Sequence, residues 1–308
     1  MKTNSEISPI ISVVVCTYNR AELLNQCLRS LAEQSLDSMQ YEVIIVDNNS
    51  TDNTREIVTR YLEDNKHFRC VSEPRQGLSI ARNKGLQEAQ GRYLAFIDDD
   101  AKASPNWLEL IVNAFETVRP LPAAVGGEIR PFYEVPPPYW FSDDFELRSW
   151  GSESKFLEYP ASMFGFSGSN MAFPKHILCT YGGFDDTLGM KGAEIGLGEE
   201  ADLFFRMYQS QAPLWYDPAI QVFHWTPVRN TTVAYRMKRA YCAGRSRAKI
   251  VGSTLFSAET VHELLRLPAF VLISLVLMIR KEGARRTELM KFMQILFNRL
   301  GYLAGRIS

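Results

Sequence analysis

The chain has 308 residues, 46% of them hydrophobic and 22% charged, which is ordinary for a folded protein and allows one large domain or two modest ones. Five cysteines, at 16, 27, 70, 179 and 242, are odd in number and form no CxxC pair, which argues against a zinc ribbon or a disulfide framework and fits a reduced, cytosolic setting. The net charge of −1 conceals an asymmetry: residues 236 to 308 hold 14 Lys/Arg against 4 Asp/Glu, a net of +10 that leaves −11 for residues 1 to 235.

The opening MKTNSEISPI has no apolar segment after its single lysine, so no secretory signal is expected. Residues 10 to 16, IISVVVC, form a β-branched apolar run too short for a buried helix, and EVIIVD at 42 to 47 repeats it; both are expected as buried parallel strands. Between them AELLNQCLRSLAEQS sets Leu23, Leu24, Cys27, Leu28 and Leu31 at helical spacing, which makes a βαβ unit. STDNTREI caps a second helix over about 52 to 65. A strand at 68 to 72, a helix at 78 to 90 and a fourth strand in RYLAFID complete the order β-α-β-α-β-α-β of a doubly wound sheet. Such sheets bind ligands off the carboxyl ends of their strands, and the polar clusters TYNR, DNNSTD and DDD fall at three of those ends.

Asp98, Asp99 and Asp100 stand side by side at the last of them. Unpaired like charges repel, and a hard divalent cation would make their crowding favourable; a solvated turn is the alternative. Their place at a strand end, with the other two polar clusters, favours the metal.

A helix is expected at about 105 to 118, a strand in VGGEIRPFY, and then a proline- and aromatic-rich irregular segment over 134 to 164. FSGSNMAFPKHIL is read as a short strand running into a helix. Glycine-rich sequence follows, and then a helix in which Glu200, Leu203, Phe204 and Met207 make an amphipathic pattern with acids on its first turn. PLWYDPAIQVFHW is a last strand with His224 near its end. From about 232 the chain is expected to be helical and basic. Its apolar stretch 267 to 279 is thirteen residues, short of a bilayer span, and is flanked by Arg266, Arg280, Lys281, Arg285 and Arg286. That composition suits an anionic membrane interface, a buried helix being the alternative. Nucleic acid is not expected as a partner, because no aromatic stacking platform or binding module accompanies the basic residues.

ISVVVCTYNRAELLNQCLRSL, VIIVDNNSTDNT, GLSIARNKGLQEAQGRYLAFIDDDA, NMAF, GGFDDTL and GEEADL, in that order over about residues 9 to 225, together resemble the family 2 glycosyltransferases of GT-A fold. The resemblance implies an α/β fold with a doubly wound, mostly parallel sheet and a nucleotide-sugar donor lying across the strand ends. On this resemblance Thr17, Tyr18 and Arg20 frame the nucleotide, Asp47 recognises the base, and Arg82 and Asn83 border the diphosphate. Asp98 and Asp100 match the outer acids of the DxD motif around Asp99, where one meets the ribose or metal and the other coordinates Mn²⁺ or Mg²⁺; His224 matches a further metal ligand. Glu200 takes the catalytic base position, where most relatives carry Asp, with Glu199 next and Asp202 as a further alternative. A single base and no enzyme nucleophile imply inversion at the anomeric carbon. Tyr139, Trp140 and Trp150, in the irregular segment, are candidates for stacking on an acceptor sugar, although aromatic residues more often fill cores.

The expectation is therefore a cytoplasmic, metal-dependent, inverting glycosyltransferase that uses a UDP-sugar to extend a saccharide or lipid-linked acceptor. Residues 1–230 would form the catalytic domain, with a nucleotide-sugar half over about 9–100 and an acceptor half over 101–230, and 231–308 would hold it peripherally at the inner membrane face. A nucleotidyltransferase would share sheet and metal but need a glycine-rich phosphate loop after its first strand, and CTYNRAELL has no glycine. A non-catalytic nucleotide- or sugar-binding membrane partner would have no use for Asp98, Asp100 and Glu200 together.

Overall fold

The computed structural model of the chain describes residues 8–158, 161–191, 198–251 and 283–307. Strands β1 (Ile11–Thr17), β2 (Tyr41–Asp47), β3 (Phe68–Ser72) and β4 (Tyr93–Asp98) alternate with helices α1 (Ala21–Ala32), α2 (Thr54–Asp64) and α3 (Leu78–Glu88). They pair in parallel in the spatial order β3-β2-β1-β4. The continuous apolar runs of β1 and β2 become intelligible here, since both faces of these strands are covered. Val13 and Val15 pack with Leu24, Cys27, Leu28 and Leu31 of α1, while Val14 turns to the opposite face with Ala81 and Leu86 of α3.

Beyond β4 the pairing reverses. β8 (Met171–Pro174) lies antiparallel to β4 and to β6 (Ala124–Phe132), and β9 (Leu214–Trp225) follows β6 in the sheet. Two short strands, β5 (Ala101–Ala103) and β7 (Lys155–Phe156), lie antiparallel to β9. β5 was not foreseen. Its sequence, Ala-Lys-Ala, has no strand preference of its own, and the pairing with β9 imposes the conformation. Helix α4 (Trp107–Thr117) buries Trp107, Leu108, Ile111, Ala114 and Phe115. Trp107 is fully buried and its indole donates to Asn170 Oδ1 at 2.9 Å. Helices α5 (Ala161–Phe164), α6 (Lys175–Thr180) and α7 (Glu199–Gln209) come from the later segments.

The chain divides into two compact units, the first comprising Met1–Arg130, Leu147–Ala193 and Glu199–Trp225, the second Pro131–Glu146, Glu194–Gly198 and Thr226–Ser308. Within the second, helix α8 (Val233–Val251) runs parallel to helix Gly283–Ile307, with Arg236 bonded to Gln294 and Asn298 to Ala240, both 58 positions apart. The two backbones touch at glycine, since a Cβ on Gly244 would strike Asn298 O and one on Gly301 would strike Tyr241 O. The expected basic helical C-terminal region is thus present. Among the described residues no helix is long and apolar enough to cross a membrane, and the apolar stretch 267 to 279 lies outside them.

Candidate active site

Strand register assembles the site. Thr17 stands opposite Asp47, and Cys16 opposite Asp98, so the ends of β1, β2 and β4 place these groups on one edge. The chain turns through Asp99 and Asp100 into β5, where Ala101 pairs with His224 and Asp100 O accepts from Trp225 N at 2.8 Å. This brings a histidine more than a hundred residues away onto Asp98 and Asp100. His224 Nε2 lies 3.2 Å from Asp100 Oδ1 and 3.8 Å from Asp98 Oδ2, while Nδ1 lies 3.1 Å from Trp225 O. A proton on Nδ1, donated to that carbonyl, would free Nε2 to ligate a cation, whereas a ring protonated on both nitrogens pairs with Asp100 through Nε2. One ligand atom from each of Asp98, Asp100 and His224 falls within 4.8 Å of the others, and among the described residues the buried Asp100 Oδ1 has no hydrogen-bond partner, with the His224 ring 3.2 Å away. Two carboxylate oxygens and an imidazole nitrogen suit a divalent cation such as Mn²⁺, and the residues present fit one.

Arg20 joins this cluster from the loop after β1, donating to Asp99 Oδ1 at 3.1 Å and Asp100 Oδ2 at 2.8 Å. Asp99 is buried, and burial pushes its carboxyl upward against the pull of Arg20. Burial acts on Asp100 as well, but there His224 and Arg20 outweigh it and hold the carboxyl below the usual carboxylate range. Arg20, expected beside the nucleotide, is therefore also a support for the acids.

Arg82 sits beneath the same edge. Its side chain is 3% exposed; it donates to Asp98 Oδ1 at 3.1 Å and to Glu199 Oε1 at 3.0 Å. Glu199 is buried, and among the described residues its second oxygen has no hydrogen-bond partner, and neither has the inaccessible Glu200 Oε2. Burial and the neighbouring Glu199 charge push the Glu200 carboxyl up to about 8. Asp202, the third acid considered for this role, is instead gripped by Arg206 at 2.7 and 2.9 Å.

The nucleotide-side loops are tied together by asparagines that sequence reasoning passed over. Asn48 donates to Glu73 O and Arg75 O and accepts from Gly77 N, which fixes the turn between β3 and α3. Asn19, at φ 53°, accepts from Thr51 N at 2.7 Å and links the loops after β1 and β2. Asp47 accepts from Ser50 N at 2.9 Å; Thr17 is buried and Tyr18 exposed beside them. Asn83, expected to border the diphosphate, is engaged within the protein. Its amide donates to Phe184 O and Asp186 Oδ1 and accepts from Phe184 N, so it braces the GGFDDTL segment.

Of the aromatic residues expected on an acceptor sugar, Trp150 belongs to the first unit and Tyr139 and Trp140 to the second. Trp150 packs on the core of the first unit and its indole donates to Gly165 O at 3.2 Å. Trp140 packs in the second unit with Phe141, Phe145, Met237 and Met290, and Tyr139, 72% exposed, has the Arg286 guanidinium 5.4 Å from its ring centroid. Both tryptophans are partly buried against apolar clusters.

The family model for Glycosyl transferase family 2 matches residues 12–181. The chain belongs to this family. Among curated relatives it is 30% identical over 240 residues to the glucosyl-dolichyl phosphate glucuronosyltransferase of Haloferax volcanii, covering 77% of this chain and 76% of that protein. It is 28% identical over 262 residues to the succinoglycan biosynthesis protein ExoM of Rhizobium meliloti, covering 82% of this chain and 77% of that one. Among solved structures it resembles the mannosyltransferase PcManGT of Pyrobaculum calidifontis, in complex with GDP-Man and Mn²⁺, with a TM-score of 0.65 at 20% identity over 97% of this chain and 87% of that one. That likeness establishes the GT-A fold, and the family establishes glycosyl transfer as the activity.

Proposed function

We propose that this protein is an inverting, divalent-cation-dependent glycosyltransferase that moves a sugar from a nucleoside diphosphate, UDP before GDP, to a hydroxyl of a saccharide or lipid-linked acceptor. The observation that carries the reading is the convergence of Asp98, Asp100 and His224 within 4.8 Å, one guanidinium away from the glutamates of α7. Thr17, Tyr18 and Asp47 would receive the nucleotide at the ends of β1 and β2. A divalent cation held by Asp98, Asp100 and His224 would neutralise the charge that develops on the departing diphosphate.

Glu200 takes the proton of the acceptor hydroxyl. That oxygen bonds the anomeric carbon as the bond from the carbon to the phosphate oxygen breaks, and the nucleoside diphosphate leaves with the electron pair. One displacement without an enzyme nucleophile turns an α-linked donor into a β-linked product. A raised carboxyl suits the work, because a base that titrates near the working pH is strong enough to accept the proton and is still partly ionised.

The relative's action on glucosyl-dolichyl phosphate favours a lipid-linked saccharide as acceptor here, in glycan biosynthesis. Exposed Arg229, Lys238, Arg245, Lys249, Arg286 and Lys291 of the second unit favour an anionic membrane face, with residues 231–308 as the attaching region and 1–230 as the catalytic one. The test is direct: the purified chain is incubated with UDP- and GDP-sugars and a short-chain lipid-linked saccharide, with Mn²⁺ or with chelator, and the anomer formed is read by NMR. The reading expects a β-linked product only with metal. Retention of configuration, or undiminished transfer in chelator, contradicts it.

A further inference from the structure

Arg82 has more to do than its place in the ARNKG stretch conveys. Its guanidinium lies between the Phe184 ring, 5.5 Å from the ring centroid, and the backbone of Gly168, where a Cβ would collide with Nη2. Only glycine leaves room for it there. The two ends of its fork go to carboxylates from distant parts of the chain, Asp98 at the end of β4 and Glu199 at the start of α7, and its own side chain is all but inaccessible. Glu199 is the neighbour of Glu200. Fixing one therefore fixes the backbone from which the other projects.

We infer that Arg82 is a positioning residue that holds the base-bearing end of α7 in register with the metal ligand Asp98, and that it makes no contact with the donor itself. The inference rests on the glycosyltransferase reading and deepens it. A planar fork can bridge two carboxylates where a lysine ammonium, a compact point charge, cannot hold both in fixed geometry. The bridge also has a cost for the cation. Arg82 holds Asp98 Oδ1 while Oδ2 faces His224, so its positive charge lies on the carboxylate that would hold the ion and repels it; removing the guanidinium strengthens cation binding while loosening α7. A residue with a purely structural role, or one that grips the diphosphate, would weaken both.

The experiment compares wild type with Arg82→Met, Arg82→Lys and Gly168→Ala. Mn²⁺ affinity is measured by the loss of the free-ion EPR signal, and kcat and KM for a UDP-sugar by steady-state transfer. Arg82→Met is expected to lower kcat about 100-fold, as misplacement of a catalytic group does, with donor KM within about threefold. Its Mn²⁺ affinity should rise about threefold or more once the nearby positive charge is gone. Arg82→Lys should return Mn²⁺ affinity to the wild-type level without restoring kcat. Gly168→Ala, which keeps the charge and displaces the fork, should lower kcat alone and keeps the inference testable if Arg82→Met does not fold. A donor KM raised more than about tenfold together with weaker Mn²⁺ binding would overturn the positioning role and leave the glycosyltransferase reading intact. A wild-type protein that binds no Mn²⁺ would overturn both.

Discussion

The parallel strands carry a buried polar cluster at each end, and the two clusters differ in how completely they are paired. At the amino ends, Glu42 Oε1 accepts from Ser12 Oγ at 2.6 Å and Gln90 N at 2.7 Å, and Glu42 Oε2 accepts from Arg69 Nε at 2.8 Å. Ser12 Oγ accepts in turn from Gly91 N. Each acceptor of that acid has its donor. At the carboxyl ends Asp98, Asp99, Asp100, Glu199 and Glu200 crowd around Arg20, Arg82 and His224, and Glu199 and Glu200 each keep a buried oxygen without a partner among the described residues. A closed network stabilises and specifies the fold, whereas an open one with surplus acid is a site whose remaining partner is a ligand.

The contrast predicts where substitutions act. The largest effect belongs to Asp100→Ala, which removes one of three metal-ligand candidates: transfer should fall about 10³-fold, the scale of losing a main electrostatic group, while the melting temperature changes little. A comparable loss of stability in calorimetry would mean that the acids serve the fold.

Glu200→Gln should lower kcat about 10²- to 10⁴-fold in steady-state transfer. It also has a pH signature. With the folded carboxyl raised from 4.5 to about 8, the group stays protonated in the fold while the unfolded chain ionises, so its contribution is fully present below about pH 4.5 and is lost as pH rises through 8. Thermal melts between pH 5 and 9 should therefore show the wild type losing stability relative to Glu200→Gln. In the same range wild-type kcat/KM should climb with pH, with a midpoint at or below 8, because a bound cation favours the ionised carboxylate.

The smallest catalytic effect belongs to the closed end. Glu42→Gln should lower stability by about 1–3 kcal/mol, the cost of breaking a buried charge-assisted hydrogen bond. Its kcat per folded molecule should stay within about twofold, since no ligand is missing there. Denaturant melts and transfer assays on the same preparation separate the two effects. A variant that lost activity without losing stability would break the contrast.

The parallel half of the sheet was legible because strands buried on both faces read as unbroken β-branched runs, and α1 because its leucines and Cys27 recur at helical spacing. The roles of His224 and Glu200 come from the family resemblance, whereas the strand-end acids could be named because they close a periodic element. β5 could not be, since its pairing with β9 rather than its own residues makes it a strand, and that pairing delivers His224 to the acids. The direction of Arg82 had a faint signal, because Ser79, Arg82 and Leu86 share one face of α3 and all three are buried. A charged residue on that face reads equally as solvated until its two carboxylates arrive from β4 and α7. Trp140 and Trp150 show the opposite limit, where an irregular segment gives no periodicity from which their partial packing could be read.

The most direct test of the strand-end site is a calorimetric titration of Mn²⁺ into the full chain, with and without UDP, for wild type and Asp100→Ala. The geometry predicts one cation per wild-type chain, bound more tightly when UDP is present, and a loss of both heats in Asp100→Ala. Equal binding by the two proteins, or none by either, would contradict it and return the three aspartates to a solvated turn.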